Sequence, residues 1–172
     1  MNRSLVSAIA MAALVTVSAP AFAADLVMEE PMMMSEAPAG SFDGAYMGLF
    51  GTTYWGVSQY GVGVELGYNF TPAESFLLGL EVSGVMYPTG YDPEVWLKGK
   101  AGFTSDNFAV YGFGEVGAYF PGGAAVQQYG VGAGAEVFVA DSISLDAEVG
   151  MRADFGASLA NPHAQIGLRF HF

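Results

Sequence analysis

The chain contains no cysteine among its 172 residues, so disulfides and thiolate metal centres are excluded. It has only five basic residues against seventeen acidic ones, a formal charge of -12, which leaves too little positive charge to meet nucleic acid phosphates. Charge of either sign is scarce, at 13% of residues, where a typical soluble protein carries roughly a quarter. A water-exposed surface is hard to cover with so few charges. Histidine occurs twice, as His163 and His171, without a second ligand at metal-binding spacing, and nothing in the sequence asks for a cofactor. Beyond the N-terminus there is no apolar run of 18 residues, so no membrane-spanning helix is expected.

What is present is unusual in the opposite sense: 52% of residues are hydrophobic, and 24 are glycine. That apolar content argues against disorder. At the N-terminus, Arg3 precedes an alanine-rich apolar stretch from Leu5 to Val17. Pro20 then leads into Ala21-Phe22-Ala23, an A-x-A site with cleavage expected before Ala24. Residues 1–23 therefore read as a secretory signal peptide. Residues 24–41 hold four acids, two prolines and no hydrophobic period, and read as a flexible acidic periplasmic tail. Met28, Met32, Met33 and Met34 cluster there. Thioethers can hold Cu(I), but without histidine or a repeated spacing the bland reading of a methionine-rich tail is preferred.

From Phe42 onward the dominant signal is alternation with period two. Between Tyr60 and Phe70 one parity carries Tyr60, Val62, Val64, Leu66, Tyr68 and Phe70, and the other carries Gly61, Gly63, Glu65, Gly67 and Asn69. The same two-sided pattern recurs in six more segments up to Phe172. With Phe42–Phe50, whose phase is ambiguous, the count is eight strands. Periplasmic turns are expected at 71–75, 104–107 and 140–142, and outer loops, short for such a barrel, near 51–58, 87–93, 121–127 and 156–162. Eight segments of about ten residues predict an all-β, eight-stranded antiparallel up-and-down transmembrane β-barrel over 42–172.

Alternation alone does not say which face is outside, since a soluble lipocalin-like barrel shows the same parity. Two features favour lipid outside. Glycine shares the charged face, as a narrow lumen requires and an exposed strand does not. Aromatic residues on the apolar face gather at the two ends of the strands, with aliphatic residues between, as interfacial girdles do. The lumen is then expected to hold Glu65, Glu81, Lys98, Lys100, Glu115, Glu136, Asp146, Glu148, Arg152, Asp154 and Arg169. Glu148 and Arg152 are two steps apart on one face, with Arg169 on the neighbouring strand. A plugging salt-bridge network is expected, and any leak should favour cations.

The start of the mature chain at Ala24, the first strand Phe42-Asp43-Gly44-Ala45-Tyr46-Met47-Gly48 and the ending Gly167-Leu168-Arg169-Phe170-His171-Phe172 resemble the small outer-membrane β-barrel, porin-like surface proteins of Gram-negative, especially alphaproteobacterial, species. The terminal Phe172, with Phe170 in phase, resembles the signal read by the barrel-assembly machinery. The resemblance implies residence in the outer membrane, contact with its lipids and lipopolysaccharide, and a structural or surface role in the envelope. A narrow cation-preferring porin-like channel is the alternative. Asp154, Ser158 and His163 lie close in sequence, but their spacing matches no catalytic motif, and no enzyme is expected.

Overall fold

The computed structural model describes residues 41–55, 59–73, 75–88 and 90–172. The signal-peptide stretch, the acidic tail up to Gly40 and its methionine cluster lie outside the described residues. Eight strands follow one another: β1 (Gly44–Tyr54), β2 (Gln59–Ala73), β3 (Phe76–Met86), β4 (Glu94–Thr104), β5 (Phe108–Tyr119), β6 (Val126–Ala140), β7 (Ile143–Asp154) and β8 (Asn161–His171). Each pairs antiparallel with the next, and β1 pairs with β8 to close the barrel. Closure leaves no sheet edge with unpaired backbone groups.

The alternation read in the sequence becomes inside and outside. On β2, Val62, Val64, Leu66, Tyr68 and Phe70 are exposed while Glu65 and Asn69 are buried. β1 resolves the strand whose phase was ambiguous: Tyr46, Phe50 and Thr52 point in, and Met47 and Leu49 point out. It also runs on to Tyr54, into a stretch expected to be loop. β2 extends to Ala73, and its register shifts between Phe70 and Ala73. Pro72, which has no N–H to give a ladder, falls inside that irregularity.

The outer surface carries an uninterrupted apolar belt. Leu49, Leu80, Leu97 and Ile166 are more than half exposed. Towards the end where the C-terminus lies, Tyr68, Phe70, Phe103 and Phe172 ring the belt, and Tyr60 and Phe155 stand at the opposite end. Soluble monomers rarely expose contiguous apolar patches above a few hundred Å², so the surface is built for a hydrocarbon surround.

Small residues make room in an interior whose width the eight strands fix. A Cβ added at Gly63 would run into the Phe50 ring, at Gly67 into Tyr46, at Gly132 into Phe113, and at Gly134 into Tyr111. These inward glycines thus make space for rings as well as for charges, which parity counting did not anticipate. At the seam, Gly44 has φ +116, and a Cβ there would lie 3.0 Å from the Phe172 carbonyl oxygen. The next residue, Ala45, accepts a hydrogen bond from the Phe172 N–H at 3.0 Å.

Candidate functional site: a charged lumen in two tiers

The interior is a network of buried ions. Among the described residues, the buried charged side chains are seven acids and four bases. They come from β2 to β8, each strand presenting its charge on the inward parity.

The tier nearer the start of β1 and the C-terminus is organised by Arg169 on β8, which is wholly buried. Its Nε donates to Glu65 Oε1 at 2.5 Å, and its Nη1 donates to Glu136 Oε2 at 2.8 Å and to the Tyr111 hydroxyl at 3.0 Å. Its Nη2 reaches Glu81 at 3.1 Å, Glu148 at 3.3 Å and Asp146 at 3.5 Å. One guanidinium therefore serves five carboxylates from β2, β3, β6 and β7. Lys98 shares the load, 2.8 Å from Glu81 and 2.5 Å from Glu148. Lys100 sits 3.6 Å from Glu81, with its ammonium over the Tyr46 ring at 4.5 Å. Tyr46 donates to Glu81 at 2.7 Å, and Tyr111 donates to Glu148 at 2.9 Å. At the base, Ser144 and His171 both meet Glu136 Oε1, at 2.6 and 2.8 Å. Phe42, Leu77, Ala109, Tyr111 and Phe113 form an apolar cluster against which Phe138 packs.

The second tier, towards the loops, is organised by Arg152 on β7. It holds Glu115 in a two-point grip, Nε to Oε1 at 2.7 Å and Nη2 to Oε2 at 3.1 Å. Nη1 donates to the Tyr54 hydroxyl at 2.9 Å and reaches Glu94 at 3.3 Å. The guanidinium lies 3.9 Å from the centre of the Trp96 ring, and the Trp96 indole N–H donates to Glu94 at 2.9 Å. A planar guanidinium suits both contacts at once, binding a carboxylate by its edge and an aromatic ring by its face.

Ten of the eleven residues expected in the lumen are buried there; Glu148 meets Arg169 of the neighbouring strand and Lys98, whereas Arg152 turns away from Glu148 to Glu115 and Glu94. Asp154 is a correction. As the last residue of β7 it is exposed at the rim, where it accepts a hydrogen bond from Gln128 at 2.8 Å and makes no ion pair. Glu94 was missed. It opens β4 directly after Tyr91-Asp92-Pro93 and shares the inward phase of Trp96 and Lys98, so carrying that alternation two residues back would have found it. The inward aromatics Tyr46, Tyr54, Trp96 and Tyr111 were also missed as partners of the charges; their sole sequence signal is their place on the glycine parity. No hydrogen bond joins Asp154, Ser158 and His163. His163 is buried with both ring nitrogens lacking hydrogen-bond partners, and Ser158 is exposed in the loop after β7. Among the described residues no group of acids and histidines is arranged to hold a metal ion. Phe170 and Phe172 point outward and are exposed.

No protein-family model matches this chain, and no curated protein matches it in sequence. Among solved structures, the N-terminal β-barrel domain of Pseudomonas aeruginosa OprF is similar, with a TM-score of 0.55 at 16% identity, covering 76% of this chain and 98% of that one. The fold is that of an outer-membrane barrel. Neisserial surface protein A also aligns, with a TM-score of 0.46 at 13% identity over 74% of this chain and 94% of that one. A de novo designed transmembrane β-barrel aligns with a TM-score of 0.48 at 14% identity over 77% of this chain and 99% of the design.

Proposed function

We propose that the protein is an integral barrel of the bacterial outer membrane, of the small porin-like surface class, with a structural or surface role in the envelope and a lumen closed by its own side chains. The apolar belt between two aromatic girdles supports membrane residence. The observation that carries the closed lumen is Arg169: its guanidinium has no solvent exposure and lies within 3.5 Å of five carboxylates from four strands. Eight strands enclose a space wide enough for side chains and little else. In this reading lipid chains and lipopolysaccharide surround the belt, and Phe170 and Phe172 serve the assembly machinery as an exposed C-terminal signal. Both termini face the periplasm, as an even strand number requires of a chain exported from that side.

The second reading is a narrow cation-preferring channel. It is favoured by the surplus of acids over bases in the lumen and by Asp146, whose two carboxylate oxygens are buried without a hydrogen-bond partner. Reconstitution of the full-length protein into a planar lipid bilayer separates the two. The closed barrel is expected to give a silent bilayer, and discrete cation-selective conductance steps would replace it with the channel.

A further inference from the structure

The loop end of the barrel contains a cavity of about 320 Å³ that the ion network leaves empty. Four aromatic side chains wall it: Tyr54, Trp55, Tyr91 and Tyr119. Two carboxylates, Asp92 and Glu94, line it as well. Among the described residues the only Lys or Arg at this end is Arg152, on β7. The other bases of the chain are Lys98, Lys100 and Arg169, which belong to the lower network, and Arg3, which lies outside the described residues. Arg152 is largely spent, because Glu115 takes two of its donors in the two-point grip. Glu94 accepts neutral donors, the Tyr54 hydroxyl at 3.2 Å and the Trp96 indole N–H at 2.9 Å, but its only counter-charge among the described residues is Arg152 at 3.3 Å, and Asp92 has no ion pair among them. The mouth therefore holds uncompensated negative charge beside aromatic faces.

A separate observation concerns Gln128 on β6, which also lines the cavity. It is nine-tenths buried, and while its Nε2 donates to Asp154, its Oε1 has no hydrogen-bond partner among the described residues. A buried amide oxygen left without a donor is costly unless a ligand or water supplies one.

We propose that this cavity binds small protonated alkylamines. The charge is met by Glu94 and Asp92, the alkyl part lies against the ring faces, and an ammonium N–H reaches Gln128 Oε1. Aromatic faces attract organic cations through the ring quadrupole, and the attraction grows as the site excludes water. A neutral molecule of the same shape would leave the carboxylates unanswered, and a hydrated sodium ion would make no use of the rings. The site stands at the mouth and is independent of whether the lumen conducts.

Both tryptophans of the chain report on the site, since Trp55 walls it and Trp96 donates to Glu94. Tryptophan emission of the full-length protein in detergent micelles is therefore titrated with butylammonium chloride, sodium chloride and 1-butanol. Butylammonium is expected to give a saturable change that the other two do not. Asp92→Asn is expected to weaken binding about threefold and Glu94→Gln about tenfold, the more buried charge counting for more. Boiled and unboiled samples on a denaturing gel establish that each variant is a closed barrel. Asp92 is only half-buried and outside the ion network, so its variant keeps the test alive if Glu94→Gln does not fold. The proposal is overturned if butanol or sodium matches butylammonium, if no saturable change occurs, or if the folded variants bind as the parent does.

Discussion

The two arginines of the lumen solve the same problem differently. Arg152 forms a local assembly: one carboxylate held at two points, a second at longer range, and an indole ring beneath the guanidinium. Arg169 is a hub that spreads its donors over five carboxylates from four strands. A local assembly fails locally, because loss of its arginine removes the counter-charge from Glu115 and Glu94 only, and Glu94 keeps Trp96 and Tyr54 as donors. A hub fails everywhere it reaches. Burial of charge is costly in both cases, but the hub has made the whole circumference depend on one side chain.

The largest expected effect is therefore at the hub. Arg169→Met should lower the unfolding free energy, measured by guanidinium titration in lipid vesicles, by about 3–5 kcal/mol, the usual loss when one partner of a buried ion pair is removed. A variant as stable as the parent would show that something other than Arg169 compensates those carboxylates. Arg152→Met should cost less, about 3 kcal/mol in the same titration, the lower end of that range, because fewer buried carboxylates depend on it. Its Glu94 borders the mouth cavity, and Trp96 keeps its hydrogen bond to that carboxylate. Equal losses at the two arginines would erase the distinction between hub and local assembly.

A smaller effect sharpens the same contrast through glycine. An added methyl at Gly132 would collide with the Phe113 ring and the Val149 carbonyl oxygen, and Gly132→Ala should cost about 1–3 kcal/mol, as overpacking does. At the outward Gly114 nothing lies within 4 Å of an added Cβ, and Gly114→Ala should stay within about 0.5 kcal/mol. Equal sensitivity at both would mean that the interior rings yield to the added methyl.

Much of this was legible in the sequence because one physical rule, the two-residue period of a strand, assigns every second side chain to the same side. It worked where the two parities differ chemically, as with Glu65 against Val64 and Leu66. It gave no answer on β1, where Tyr46 and Phe50 face in while Met47 and Leu49 face out, so both parities carry large apolar residues. At strand ends parity gives the side but not the depth: Asp154 keeps the phase of Arg152 yet is exposed at the rim, and Glu94, in phase with Trp96 and Lys98, is buried although it opens β4. The pairings were beyond it altogether. Glu65 and Arg169 are 104 residues apart and meet because β2 and β8 both flank β1.

The seam between β1 and β8 carries a consequence for the order of events in folding. Its pairs, such as Tyr46 with His171, join the two ends of the barrel sequence, and contacts of such long sequence separation form late because the intervening loop must close first. Arg169 resides on that closing strand. Until it arrives, Glu65, Glu81, Glu136, Asp146 and Glu148 face one another with only the two lysines of β4 between them. The barrel therefore gains its central counter-charge only as the ring shuts. A nascent chain halted before β8 would be an open sheet held apart by mutual repulsion, which makes closure and neutralisation a single late event.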